Sequence, residues 1–152
     1  MPDDRLELTS GVVIRLPSRE IENEFNTDRL VPDAGDFALS TEEEERARNG
    51  DGVGALSVWD RDLTTPEQAY AFLTPRTRLT LDLDVRRILE IPSKLGLPFS
   101  LHVFRDPEPR DLPGADGHCT IENVWSDRQT RKKIRGALAA LAKVTGILKA
   151  AG

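Results

Sequence analysis

Imidazole, thiol and motif glycines are scarce in this chain. Cys119 is the only cysteine in 152 residues, which excludes an intrachain disulfide and a cysteine-rich metal site and agrees with a reducing compartment. His102 and His118 are the only histidines, so a zinc site would have to recruit carboxylates or Cys119. No metal site and no cofactor is expected. No apolar run approaches the roughly 20 residues that span a bilayer, and the first residues, MPDDRLELTSG, lack the basic start and apolar stretch of a secretory signal. The expectation is a cytoplasmic protein without a membrane partner. A phosphate loop, a dinucleotide glycine pattern, HExxH and GxSxG are all missing, which removes the easily named enzyme classes.

What is present is the composition of an ordinary globular chain, 38% hydrophobic and 31% charged, at the length of one domain, 1–152. The net charge of −5 conceals a gradient: residues 1–62 carry −9, residues 63–125 carry −2 and residues 126–152 carry +6. An acidic front and a basic tail either pair within the molecule or present the tail to an anionic ligand.

The central stretch is Gly54–Leu73. An apolar strand, Ala55–Trp59, runs into an acidic turn and a helix start in which Thr65 caps, Pro66 takes the first position and Gln68 completes a capping box. Ser10–Leu16 reads as a strand, and Ser18–Phe25 as one or two helical turns. Thr27–Leu39 reads as a loop anchored by Leu30, Val31 and Phe37, and TEEEERARN as a short helix opened by Ser40. Leu79–Val85 alternates cleanly between apolar residues and Thr80, Asp82 and Asp84, which predicts a half-buried strand. A short helix before Pro92, a strand at Phe99–Phe104, a proline-rich loop and a last strand, His118–Trp125, follow. From Ser126 or Asp127 to about Lys149 the chain predicts a long helix, with Ser126 and Gln129 as a second capping box and Ile134, Leu138, Leu141, Thr145 and Leu148 as its apolar stripe.

Three groupings of side chains bear on chemistry. His102 and His118 lie on the two last strands, each on the mixed face, with Glu122 on the same face as His118. If these strands pair, the imidazoles approach one another and a carboxylate orients them for acid–base work. Pro113-Gly114-Ala115-Asp116-Gly117 leads into His118-Cys119 and brings Asp116 close to both; alternation turns His118 away from Cys119, so the thiol reads as a small buried hydrophobe. Arg128, Arg131, Lys132 and Arg135 share one face of the last helix and suit an anion, an acidic partner or a nucleic-acid backbone, although only Trp125 supplies an aromatic ring nearby.

LSVWD followed by LTTPEQAY, then a DPEP loop, a His-x-x-Ile strand at His118–Ile121 and a basic R-K-K helix resembles a group of small uncharacterised bacterial proteins. The resemblance covers about Leu56–Ala142. It implies no activity, and singles out Asp60, Glu67 and His118 as positions to test; Cys119 stands where that pattern has alanine.

These readings predict a single α+β domain: a mostly antiparallel sheet of about four or five strands, packed by a long C-terminal helix and flanked by short helices. The leading expectation for function is a protein-partner interaction module, because enzyme motifs are missing and charge polarity favours steered association. The alternative is a small enzyme acting on a nucleotide or phosphorylated substrate, with His102 or His118 and Asp116 or Glu122 as acid–base groups. A further alternative is nucleic-acid binding through the basic C-terminal helix.

Overall fold

The computed structural model describes residues 5–18, 31–50, 54–124 and 127–149. Within them lie six strands, β1 (Val12–Arg15), β2 (Leu56–Asp60), β3 (Arg78–Asp84), β4 (His102–Arg105), β5 (His118–Glu122) and β6 (Lys143–Leu148). Four helices accompany them: α1 (Thr41–Arg48), α2 (Pro66–Tyr70), α3 (Val85–Leu95) and α4 (Arg128–Leu141). The strands form one sheet in the order β4-β5-β2-β1-β3-β6, antiparallel at every pairing. The α+β class is as the sequence predicts, but the sheet has six strands rather than four or five.

The sixth strand corrects the long terminal helix. α4 stops at Leu141, and the chain turns back as β6 along β3. Val144 lies opposite Leu81 and Ile147 opposite Leu79, with the register shifted between Thr80 and Leu81. A bulge of this kind adds one residue to a strand, so the inward-facing Val144 and Ile147 stand three apart instead of two. Three-residue spacing is what an amphipathic helix shows, and so the stripe through Thr145 and Leu148 imitates one. Composition carried the opposite signal: Val144, Thr145 and Ile147 are β-branched, and Gly146 weakens a helix.

Both faces of the sheet are covered. On one, Val13, Val58, Leu81, Leu83 and Ile121 meet Ile88 of α3 and Ile134 and Leu138 of α4 in the main core. On the other, Ile14 and Trp59 pack against Ala69 and Phe72 around α2, where the Trp59 and Phe72 rings stack at 5.0 Å. Burial of each large aliphatic side chain contributes about 1.5–3 kcal/mol, which makes the α3–α4 face the main source of stability.

The central corner forms as its residues dictate. Thr65 Oγ1 accepts from the Gln68 amide at 3.2 Å, and Gln68 Oε1 accepts from the Thr65 amide at 3.0 Å. α2 is nevertheless only one turn long, because Ala71 and Phe72 bond back three residues and tighten the chain out of the helix. Ser40 caps α1 through the Glu43 amide, as expected. α3 runs past Pro92 to Leu95 and is closed by Gly96 at φ 67, so proline falls inside the last turns instead of ending them. Asp127 caps α4 through the Thr130 amide at 3.0 Å; Ser126, Trp125 and most of the predicted Ser18–Phe25 turns lie outside the described residues. Phe37 is buried as expected, whereas Val31 is exposed.

Candidate anion-binding cleft

The sheet register separates the two histidines. His102 pairs with Glu122 across β4–β5, whereas His118 sits four residues away, opposite Trp59 on β2. The expected His102–His118 approach therefore does not form. His102 Nδ1 instead meets Glu7 Oε1 at 2.6 Å, and Glu122 is held by Arg5 and by the Thr120 hydroxyl. Asp116 is exposed on the 3-10 turn Ala115–Gly117, with no hydrogen bond or ion pair among the described residues. Asp60 is buried and pairs with Arg105, and Glu67 lies exposed in the first turn of α2.

His118 has different company. Its Nδ1 lies 2.7 Å from the Asp106 carbonyl and its Nε2 lies 3.2 Å from Ser57 Oγ. A carbonyl only accepts, so Nδ1 donates to it; in the neutral imidazole Nε2 then presents its lone pair to the serine hydroxyl. The Asp106 amide donates back to the His118 carbonyl at 2.9 Å, and the Trp59 ring meets the imidazole edge-on at 4.7 Å. Three contacts thus fix the ring.

Ser57, Thr120 and His118 line a cleft of about 590 Å3 together with three arginines, Arg15, Arg76 and Arg78. A smaller hollow of about 210 Å3 adjoins it and shares Arg15, Ser57 and Arg78. β1 lies between β2 and β3, so the sheet brings Arg15 and Arg78 together from opposite halves of the sequence.

Both of these guanidinium groups are held by neutral oxygens. Arg15 donates to the carbonyls of Asp36 at 3.1 Å, Ser57 at 3.0 Å and Ala38 at 3.4 Å. Arg78, 9% exposed, donates to the Leu16 carbonyl at 2.9 Å and to the carbonyl and hydroxyl of Thr74. Neither forms an ion pair with a carboxylate among the described residues. Burial, and then the nearby Arg78 charge, push the Arg15 guanidinium down to about 10, and Asp36 offsets only part of this. Arg78 is lowered as well, first by burial. Two acidic residues also line the cleft among the described residues: Glu43, engaged by the Ala55 amide and by Arg46, and Asp106, against three arginines. The result is concentrated positive charge facing a cleft, an arrangement that a bound anion would relieve.

The other expected basic site also forms a groove. Arg128, Arg131, Lys132 and Arg135 line a hollow of about 380 Å3 along α4, and Arg135 reaches Glu44 of α1 at 3.6 Å. Among the described residues no group of three or more metal-ligating side chains occurs, and no helix is long and apolar enough to cross a membrane.

Sequence reasoning found His118 but missed Ser57, Arg15, Arg76 and Arg78. A lone serine in a strand carries no motif. The two strand arginines did carry a signal, since each interrupts or borders an apolar run. No family model, curated protein or solved structure matches this chain.

Proposed function

We propose that this protein recognises a small phosphate-bearing molecule in the cleft between Arg15, Arg76, Arg78 and His118. The observation that carries this reading is the pair Arg15 and Arg78, two guanidinium groups that line one cleft and, among the described residues, donate to carbonyl and hydroxyl oxygens and not to carboxylates. A guanidinium presents five N–H donors; three on Arg15 are engaged, which leaves two for a ligand. Planar forks of this kind suit phosphate oxygens better than a lysine would. Trp59 is 2% exposed and stacked against Phe72, so among the described residues the cleft offers no open ring for a nucleobase, and a phosphorylated non-aromatic molecule fits better than a nucleotide.

The test is thermal unfolding with inorganic phosphate for the wild type, Arg15→Met and Arg78→Met. Ligand that binds only the native state at 100 times its Kd adds about 2.7 kcal/mol of stability. The wild type is expected to melt higher with phosphate and both folded variants to lose that rise. A rise of equal size in all three proteins contradicts the reading.

An acidic macromolecular partner at the α4 groove is a second reading, supported by the four basic side chains that line it. It predicts complexes that dissociate as salt increases, through Arg128 and Lys132 in particular.

A further inference from the structure

Ser57 and His118 have the geometry of a nucleophile and its base, at the edge of the charge concentration just described. The hydroxyl of Ser57 is on an exposed residue, so burial does not require it to find a partner. His118 nonetheless stands with Nε2 3.2 Å from Ser57 Oγ, and its other nitrogen is fixed at 2.7 Å by the Asp106 carbonyl. A hydroxyl, an imidazole lone pair facing it and a third group orienting the imidazole are the parts of an activated serine nucleophile. Here the third group is a main-chain carbonyl, which sets the tautomer as a carboxylate would. Arg15 Nη1 donates to the carbonyl of Ser57 itself at 3.0 Å, so a guanidinium lies on the residue whose hydroxyl would attack.

We infer that Ser57 and His118 hydrolyse a phosphomonoester held in the arginine cleft; this rests on the anion reading above and adds a reaction to it. Ser57 Oγ attacks phosphorus, forming the Oγ–P bond as the P–O bond to the alcohol breaks. The hydroxyl proton moves to His118 Nε2 and from there to the departing alkoxide, which leaves as the alcohol. Water then attacks the phosphoserine, His118 Nε2 takes a proton from it, and the Oγ–P bond breaks. That proton returns to Ser57 Oγ, and inorganic phosphate leaves. No electron changes hands, and water is the only co-reactant. The role of Arg15 and Arg78 is electrostatic: fixed cations stabilise the charge on the phosphoryl oxygens during transfer. A phosphorylated alcohol without an aromatic base is the substrate class that the buried Trp59 leaves room for.

The experiment uses the full chain with glycerol 3-phosphate, following release of inorganic phosphate and, after an acid quench, the mass of the peptide that contains residue 57. Wild type, Ser57→Ala and His118→Gln are compared, and binding of inorganic phosphate is measured in the same preparations. The expected result is turnover by the wild type, a loss of about 100-fold or more in each variant, a phosphoryl group on Ser57, and retained phosphate binding by Ser57→Ala. If the wild type binds phosphate yet releases none from glycerol 3-phosphate, or if Ser57→Ala turns over at the wild-type rate, hydrolysis by this pair is overturned while the anion site stands. If the wild type does not bind phosphate at all, both fall together.

Discussion

Arg78 is 9% exposed and is tied to Leu16 and Thr74 by a fork of donors. Lysine keeps the charge but has a single ammonium on a flexible stem, so it cannot serve both partners and a ligand at once. Arg78→Lys is expected to lower thermal stability, by about 1–3 kcal/mol for the abandoned buried acceptors, and to weaken phosphate binding. A variant as stable and as tight as wild type would show that the fork is not needed. Cys119 is the opposite kind of residue. It is fully buried, and burial pushes its thiol up from 9.0 to about 11. Between those values the unfolded chain has lost the thiol proton while the folded chain retains it, so the fold loses stability as pH rises from about 9 to 11. Urea unfolding across that window is expected to show a decline in wild type that Cys119→Ala lacks. The sequence had already placed this thiol inside by alternation, and its environment gives it no nucleophilic character.

The elements around His118 depend on a tight turn. Gly117 precedes it, and a Cβ there would come within 1.9 Å of Thr64 Oγ1. Thr64 in turn donates to the Gly114 carbonyl at 2.7 Å, which fastens the loop before β5 to the corner after β2. Gly117→Ala is expected to cost about 1–3 kcal/mol by overpacking and to shift the His118 ring resonances, measured by denaturation and by NMR. An unchanged spectrum would mean that the loop yields without moving the imidazole. The corner itself was legible, because Thr65, Pro66 and Gln68 act within one helical turn and need no distant partner. β6 was not, because its bulge against β3 gives Val144 and Ile147 a helical spacing that only the register explains. Ile134→Ala tests the short α4 that results. Removal of this buried side chain is expected to cost about 2–5 kcal/mol in equilibrium unfolding, while a cost below about 1 kcal/mol would place the helix off the core.

At the scale of the molecule, internal pairing answers part of the charge gradient. Glu44 of the acidic helix meets Arg135 of the basic one, and Arg61 meets Asp82. The cleft arginines were invisible to that gradient, since Arg15 lies in the most acidic third of the chain and Arg78 in the nearly neutral one. Strand alternation showed which face each side chain takes; strand order, with β1 inserted between β2 and β3, was needed to see who stands beside whom. That is also why His102 and His118, paired by sequence reasoning through adjacent strands, separate once the register is known. In the function proposed above, Arg15 and Arg78 carry charge that a phosphate completes. Isothermal titration of inorganic phosphate into the wild type and into the Arg15→Met/Arg78→Met double variant tests it most directly. Saturable binding at one site is expected in the wild type and none in a double variant that remains folded; equal heats in both proteins would rule the phosphate site out.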